Sequence, residues 1–440
     1  MDIANFCVKH ALKLGAQSAE AFAGKYDLLR IAINKSEIET GKRTISSGVG
    51  VRAIINGSIG FSYTTNLSKL EKTIEEAIKF AKVGDKDPNF KSLPRPSQYP
   101  LVEDVFDKKI EELNIESALD FVQTIISAAK NTAPFIEVAA GDFISGKEEI
   151  FIVNSEGVEA NDKGTFIEVG LNVIARNQDV STAFEYFGSR KFDLDPTQIG
   201  KKVAELAIKS SDAKKIQSQE GEAIFEPFAV AELLENVFIP ALNAEVVQQN
   251  ESVYKNKLEQ QVVSPLLTII DDGTLAKGLN TGIFDGEGTP TQRTILIENG
   301  ILKTYLYDSY TAGKDGVKST GNAMRSSYAS IPKIGPTNFI IQKKMPYESL
   351  LSEVKDGILI TGLIGAHTGN PISGDFSVEA RNAFKIENGE ITYPVKQIML
   401  AGNIFQLLKK IDGIGDNTRQ IVSVVSPSIR IPRVKFLSAS

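Results

Sequence analysis

The chain has 440 residues, 42% hydrophobic and 24% charged, the balance of a soluble globular protein too long for one ordinary core, so two domains are expected. A net charge of −6 argues against a broad phosphate-binding surface, and so against nucleic acid as a partner; no apolar run reaches the ~18 residues that cross a membrane. A single cysteine, Cys7, excludes an intrachain disulfide and fits a reducing cytoplasm, and the first residues lack the basic-then-apolar pattern of a signal peptide.

Residues 3–14 place Ile3, Phe6, Ala11 and Leu14 at helical spacing, with Gly15 as a C-terminal stop. Strands are expected over 19–33, 36–45 and 49–55. Asn56-Gly57 then turns the chain into 58–63, because Asn-Gly between β-prone runs is the strongest short-range hairpin signal. Residues 67–83 are helical, and 84–100, with four prolines, form an irregular linker. A second round follows. A helix is expected over 115–130, strands over 135–140, 149–153, 165–175 and 182–187, and a helix opened by Asp195-Pro196 and running to about 210.

The two rounds correspond. Asn34, Ile38 and Glu39 match Asn154, Val158 and Glu159; Val49-Gly50-Val51 matches Val169-Gly170-Leu171 at the same offset; Phe61 and Tyr63 match Phe184 and Tyr186. The fold expected is therefore α+β. An N-terminal α+β domain of two related helix/strand repeats (1–213) precedes a β-rich C-terminal domain (221–440), with the polar stretch 214–220 between them.

The C-terminal domain starts with a short strand at 223–225 and a helix over 227–242 whose apolar face carries Val230, Leu233, Leu234, Val237 and Phe238. Residues 266–270 read as a buried strand that stops at Asp271-Asp272-Gly273-Thr274. Asn299-Gly300 and Asn388-Gly389 mark two more hairpins, and the loop 369–377 contains Asp375. A helix is expected at 347–354, a strand at 357–363, a helix at 404–411 and a closing strand at 429–436.

Polar residues concentrate between 263 and 338. The motifs there are Asp271-Asp272-Gly273-Thr274, Asp285 with Glu287-Gly288, Thr289-Pro290-Thr291-Gln292-Arg293-Thr294, and Ile297-Glu298-Asn299-Gly300. Thr320-Gly321-Asn322, Arg325, Ser327-Tyr328, Pro332 and Thr337-Asn338 complete the set. Together they resemble the C-terminal domain of the TldD/PmbA family, whose members form TldD–TldE metalloprotease pairs. The resemblance extends over most of the chain and is best from Glu222 onward.

The resemblance implies a specific expectation about zinc. The TldD-type member carries His-Glu-x-x-x-His on a helix, with two imidazoles on one face, a glutamate to polarise a metal-bound water, and a cysteine from a glycine-rich loop near the C-terminus. Here the corresponding helix, 227–242, offers only Glu232, Glu235 and Asn236, and the chain runs from Gly415-Asp416-Asn417 to Ser426-Pro427-Ser428 without such a loop. The two histidines, His10 and His367, make no pair at helical spacing. That pattern resembles the family's TldE (PmbA) branch. It implies no catalytic residue and no metal in this chain, and zinc in a TldD-type partner. The expected assembly is a heterodimer acting on unfolded peptide, with a homodimer open when the chain is alone.

Two readings of the retained polar residues stay open. They brace turns of a shared fold, or Asp271, Asp272, Glu287, Arg293, Asn322, Arg325, Asn338 and Asp375 line a peptide channel or subunit interface, with Arg293 and Arg325 holding a carboxylate. Two other functions are weighed. One is a regulatory binding protein of the gyrase-modulator kind, acting through protein contacts. The other is an independent hydrolase built on Asp271, Asp272, Asp285 and Glu287 with a hard cation.

Overall fold

The computed structural model describes residues 1–438. The N-terminal part runs α1 (Asp2–Lys13), β1 (Ser18–Asn34), β2 (Glu37–Ile55), β3 (Ser58–Thr64), α2 (Leu70–Val83), a short α3 (Lys108–Glu111), α4 (Ile115–Lys130), β4 (Ile136–Asn154), β5 (Glu159–Arg176), β6 (Val180–Ser189) and α5 (Pro196–Lys209). Its six strands form one antiparallel sheet in the order β3-β2-β1-β4-β5-β6. Each half is thus helix, three strands, helix, and the two halves meet where β1 pairs with β4.

The repeat seen in the sequence is realised in register. Gly50 faces Tyr63 across β2–β3, and Gly170 faces Tyr186 across β5–β6. The strands are longer than expected. The stretches 36–45 and 49–55 are one strand because Gly41, Gly48 and Gly50 all stay paired with β1. Gly141 and Gly146 likewise stay in the β1–β4 ladder, joining the two strands expected between 135 and 153.

Side chains alternate across a strand, so β1 shows both faces of the sheet. Its odd positions point to the helices: Ala19 and Ala21 join the core of α1 and α2, and Leu29, Ile31 and Ile33 join the core of α4 and α5. Its even positions, Glu20, Phe22 and Tyr26, point the other way, towards the C-terminal half, where Phe22 and Tyr26 pack with Phe284 and Tyr328.

The C-terminal part continues with β7 (Gln219–Phe225), α6 (Pro227–Leu233), α7 (Ala244–Gln248), β8 (Ile269–Asp272), β9 (Arg293–Glu298), β10 (Ile301–Leu302), α8 (Ser309–Asp315), β11 (Ala323–Met324), β12 (Lys333–Ile334) and β13 (Phe339–Ile341). Then come α9 (Tyr347–Ser352), β14 (Asp356–Ile364), β15 (Asp375–Glu387), β16 (Glu390–Val395), β17 (Ile398–Asn403), α10 (Ile404–Leu407), β18 (Gly413–Ile414), β19 (Arg419–Ile421), β20 (Val424–Ser426) and β21 (Ile429–Ser438). One sheet has the order β10-β9-β8-β13-β20-β19. The other has the order β14-β7-β21-β17-β15-β16, and an extra β14–β15 pairing closes it on itself. One core, from Ala223 to Phe436, lies between them.

The helix expected over 227–242 is not regular throughout. After α6 it widens into a π turn at Leu234–Phe238 and tightens into a 3-10 turn at Ile239–Leu242. Pro240 has no N–H to give to the Asn236 carbonyl, and its ring crowds the preceding turn, so an α-helix cannot continue through it. The second arm of the Asn299-Gly300 hairpin, β10, is short and ends at Leu302.

One close approach joins the two halves. A Cβ placed on Gly50 would overlap the Tyr328 carbonyl oxygen, whereas on Gly170 it would meet only the Phe184 ring at 3.6 Å. The repeat supplies a matched pair for testing this. Gly50→Ala should lower unfolding stability by about 1–3 kcal/mol through overpacking. Gly170→Ala should be neutral or stabilising by about 0.4–1 kcal/mol, because it restricts the unfolded chain without a clash. Equal urea midpoints for the two variants would contradict this account of the contact.

Candidate functional site

The polar residues of the 263–338 stretch are drawn inward by two short strands and the loops between them. Asp271 lies inside β8, one residue before its end at Asp272, and is only 1% exposed. It accepts from Asn322 Nδ2 at 2.7 Å, from the Thr337 N–H at 2.8 Å and from Thr337 Oγ1 at 2.7 Å. Burial pushes its carboxyl up to about 6, against the pull of those donors. Asp272 accepts from the backbone and hydroxyl of Thr274, closing the turn. Asn338, fully buried, donates to the Asp272 carbonyl at 2.7 Å and to Thr281 Oγ1 at 2.9 Å, and accepts from Gln420 Nε2 at 2.9 Å. These four residues, with Thr337, tie three distant loops together.

A second group sits deeper, against the open face of the N-terminal sheet. Glu20 on β1, fully buried, bridges two guanidinium groups: Arg52 Nη2 at 2.7 Å and Arg325 Nη2. Arg52 also reaches Glu287 at 3.0 Å, and Glu287 accepts the Ser309 N–H at 3.0 Å. Arg325 further donates to the Gly286 carbonyl at 2.6 Å and the Ser330 carbonyl at 3.1 Å. Its guanidinium lies 4.9 Å from the Phe22 ring centre. Burial works against the charge on Arg52, but Glu20 and Glu287 more than offset it and hold the guanidinium above its ordinary range. Burial likewise raises Glu287, and Arg52 and Ser309 reverse that and hold it low. Asp285 accepts three backbone N–H groups, from Glu287, Thr289 and Ala323; burial and the neighbouring Glu287 charge raise it well above the usual carboxylate range.

The structure therefore gathers Asp271, Asp272, Asn322 and Asn338 in one network, and Glu287 and Arg325 in another. Arg325 is not a surface residue; its charge is taken by Glu20 of the same chain. Arg293 lies at the rim, half-exposed, 3.9 Å from Asp272. Asp375 belongs to neither group. It starts β15, exposed, accepts from Asn403 Nδ2 at 2.9 Å, and is held below the usual carboxylate range by Asn403 and Ser373. The four carboxylates considered for a hard cation are each occupied by donors of the same chain, Asp285 and Glu287 on one side, Asp271 and Asp272 on the other. Among the described residues, no three His, Cys, Asp or Glu side chains converge as a metal cluster.

Glu20 and Arg52 went unread in the sequence. Each is a charge at an inward position of a strand, and that break in alternation is the signal that marks them.

The helix segment 227–242 presents its polar residues towards β14 and the β19–β20 turn. Glu232 Oε2 accepts the Leu363 N–H at 2.6 Å, and burial pushes its carboxyl up to about 7. Glu235 Oε1 accepts from Ser423 Oγ at 3.3 Å, and Asn236 Nδ2 donates to the Glu232 carbonyl at 2.8 Å. Ser423 lies in the tight turn between β19 and β20, where Val422 takes a positive φ of 50°.

Set against known proteins, three consecutive domains of one family match. They are PmbA/TldA metallopeptidase domain 1 over residues 19–81, the central domain over 108–211 and the C-terminal domain over 218–438. The chain belongs to the TldD/PmbA metallopeptidase family. It is 34% identical over 422 residues to an uncharacterised protein of Methanocaldococcus jannaschii, covering 96% of this chain and 97% of that one. Among solved structures, TldE from Thermococcus kodakarensis superposes with a TM-score of 0.93 at 25% identity, covering 99% of this chain and 100% of that one. A Thermotoga maritima protein described as a modulator of a DNA gyrase superposes with a TM-score of 0.91 at 28% identity, covering 99% of both chains.

Proposed function

We propose that this chain is a TldE/PmbA-type subunit, without a catalytic centre of its own, of a two-subunit zinc peptidase that degrades unfolded peptides. The observation that carries the reading is the composition of the helix segment 227–242. Structural and catalytic zinc sites draw on histidine and cysteine, with carboxylates as a minor component. This segment offers Glu232, Glu235 and Asn236, and both glutamates already accept hydrogen bonds from their own chain. That set does not fit a zinc ion. The only cysteine, Cys7, is buried in the α1 core, with its thiol pushed up to about 12 by burial. The likeness to the Thermococcus TldE over nearly the whole chain points the same way.

On this reading the chain contributes a stable partner surface and peptide binding, and zinc resides in a TldD-type subunit. The lone cysteine suits a cytoplasmic setting. Among the described residues no helix is long and apolar enough to cross a membrane.

The test is a peptidase assay on an unstructured peptide, with metal analysis, on this chain alone, on a TldD-type subunit alone and on the mixture. The expected outcome is co-elution of the two chains and cleavage in the mixture, with about one zinc per heterodimer that follows the partner. Metal-dependent cleavage by the highly purified chain by itself would overturn the subunit reading.

A further inference from the structure

The N-terminal sheet and the C-terminal loops do not close completely. Between them lies a cavity of about 220 Å³, with Glu148, Ile150, Asp162 and Arg190 on the sheet side and Leu279 and Phe284 on the loop side. At about 30 Å³ per water it would hold about seven waters, roughly the bulk of one medium-sized amino acid.

Arg190, at the end of the sheet next to β6, is 4% exposed. Its contacts are loose. Nη2 donates to the Thr281 carbonyl at 3.3 Å, Nη1 stands 3.6 Å from Glu148, and Nε is buried with no hydrogen-bond partner among the described residues. Arg52 Nε is likewise without a partner, but Arg52 and Arg325, equally deep, each have a carboxylate in direct contact, which Arg190 does not. Asp162 adds its charge nearby but makes no direct contact with Arg190; its oxygens accept the Lys163 and Ile283 N–H groups at 2.8 and 2.9 Å. A buried guanidinium that is only partly compensated is costly unless an anion completes it. Its planar fork fits a carboxylate with two parallel donors. Phe22, Ile150, Leu279 and Phe284 give the cavity an apolar patch, and Lys163, Thr281, Asp285 and Thr337 line the rest with polar groups.

We infer that this cavity binds a small carboxylate with an apolar body, the carboxylate on Arg190 and the body against Phe22, Ile150 and Phe284. A free amino acid and the C-terminal residue of a peptide share that chemistry. The inference goes beyond the subunit reading and stands without it, because it concerns the isolated chain and needs no partner or cleavage.

Isothermal titration of the full-length chain with three probes tests it: the dipeptide Ala-Leu, its C-terminal amide, and free leucine. Ala-Leu should bind, and the amide should bind at least about tenfold more weakly, because it cannot accept both donors as a carboxylate does. Leucine binding as tightly as Ala-Leu assigns the site to free amino acids; Ala-Leu binding without leucine assigns it to peptide ends. Arg190→Lys keeps the charge and loses the fork, so Ala-Leu should weaken by about tenfold. Ile150→Trp fills the cavity from a half-buried position and should abolish binding; it decides the question if Arg190→Lys does not fold, as judged by circular dichroism. Equal affinity for acid and amide, no binding of either acid, or undiminished binding to folded Ile150→Trp would each overturn the inference. A cavity holding water only would then remain, whether or not the peptidase mixture is active.

Discussion

Replacing Arg52 with methionine should destabilise the protein by about 3–5 kcal/mol, the usual cost of breaking a buried ion pair by removing one partner. The reason is charge balance. Glu20, Glu287, Arg52 and Arg325 form a group of two negative and two positive side chains, and every one of them is nearly or fully buried. Without Arg52, Glu287 keeps only the Ser309 N–H and Glu20 keeps only Arg325, so one full negative charge lies uncompensated in a low-dielectric interior. Removing a balanced pair leaves no such charge. Arg52→Met combined with Glu287→Leu should therefore be more stable than Arg52→Met alone, although it carries one more change. Urea unfolding of the wild type and the two variants is the measurement. A single variant within about 1 kcal/mol of the wild type would show that the cluster is solvated and does little to hold the halves together.

Asp271→Ala should cost about 3 kcal/mol or more, because it leaves the Thr337 N–H and hydroxyl without an acceptor in a closed interior and the Asn322 amide with only the Gly335 carbonyl. The same carboxyl makes a pH prediction. In the folded chain it holds its proton to about pH 6, whereas unfolded it releases it near the ordinary aspartate value of 3.8. Between those values the folded state binds more protons than the unfolded state, so this group's contribution falls as pH rises. It is present in full below about pH 3.8, is lost progressively towards pH 6, and amounts to about 3 kcal/mol over the window. Asp271→Asn cannot ionise and should lack that decline. Plotting the stability difference between wild type and Asp271→Asn from pH 4 to pH 7 isolates the term; a flat difference would show that Asp271 is ionised throughout.

Much of the local structure was legible in the residues. The three Asn-Gly hairpins form with both residues at positive φ, 53° and 78° at Asn56-Gly57, 47° and 82° at Asn299-Gly300, 51° and 82° at Asn388-Gly389. These turns need only local backbone chemistry, in which asparagine and glycine tolerate the left-handed region. The internal repeat was legible for a related reason. Matched residues at a constant offset imply matched strand positions, and Gly50–Tyr63 and Gly170–Tyr186 pair alike. The strand lengths were not, because whether a glycine interrupts a strand depends on its neighbouring strands: Gly41 and Gly48 pair with β1, and Gly146 pairs with both β1 and β5.

The site divides along the same line. The motif residues of the 263–338 stretch announce themselves as polar groups among apolar runs, and their family resemblance is carried by type and order alone. What they touch is a matter of tertiary structure. Glu287 meets Arg52 across 235 positions of chain, and Arg325 meets Glu20 across 305. No periodicity within a segment reaches that far. The sequence by itself determined the hairpins, the repeat, the family and the absence of histidine from the helix at 227–242. Only the tertiary structure decided which face of the N-terminal sheet the C-terminal loops cover, and therefore which charges are buried together and which one, on Arg190, is only loosely paired, because burial and pairing depend on the distance between segments that the chain alone leaves free.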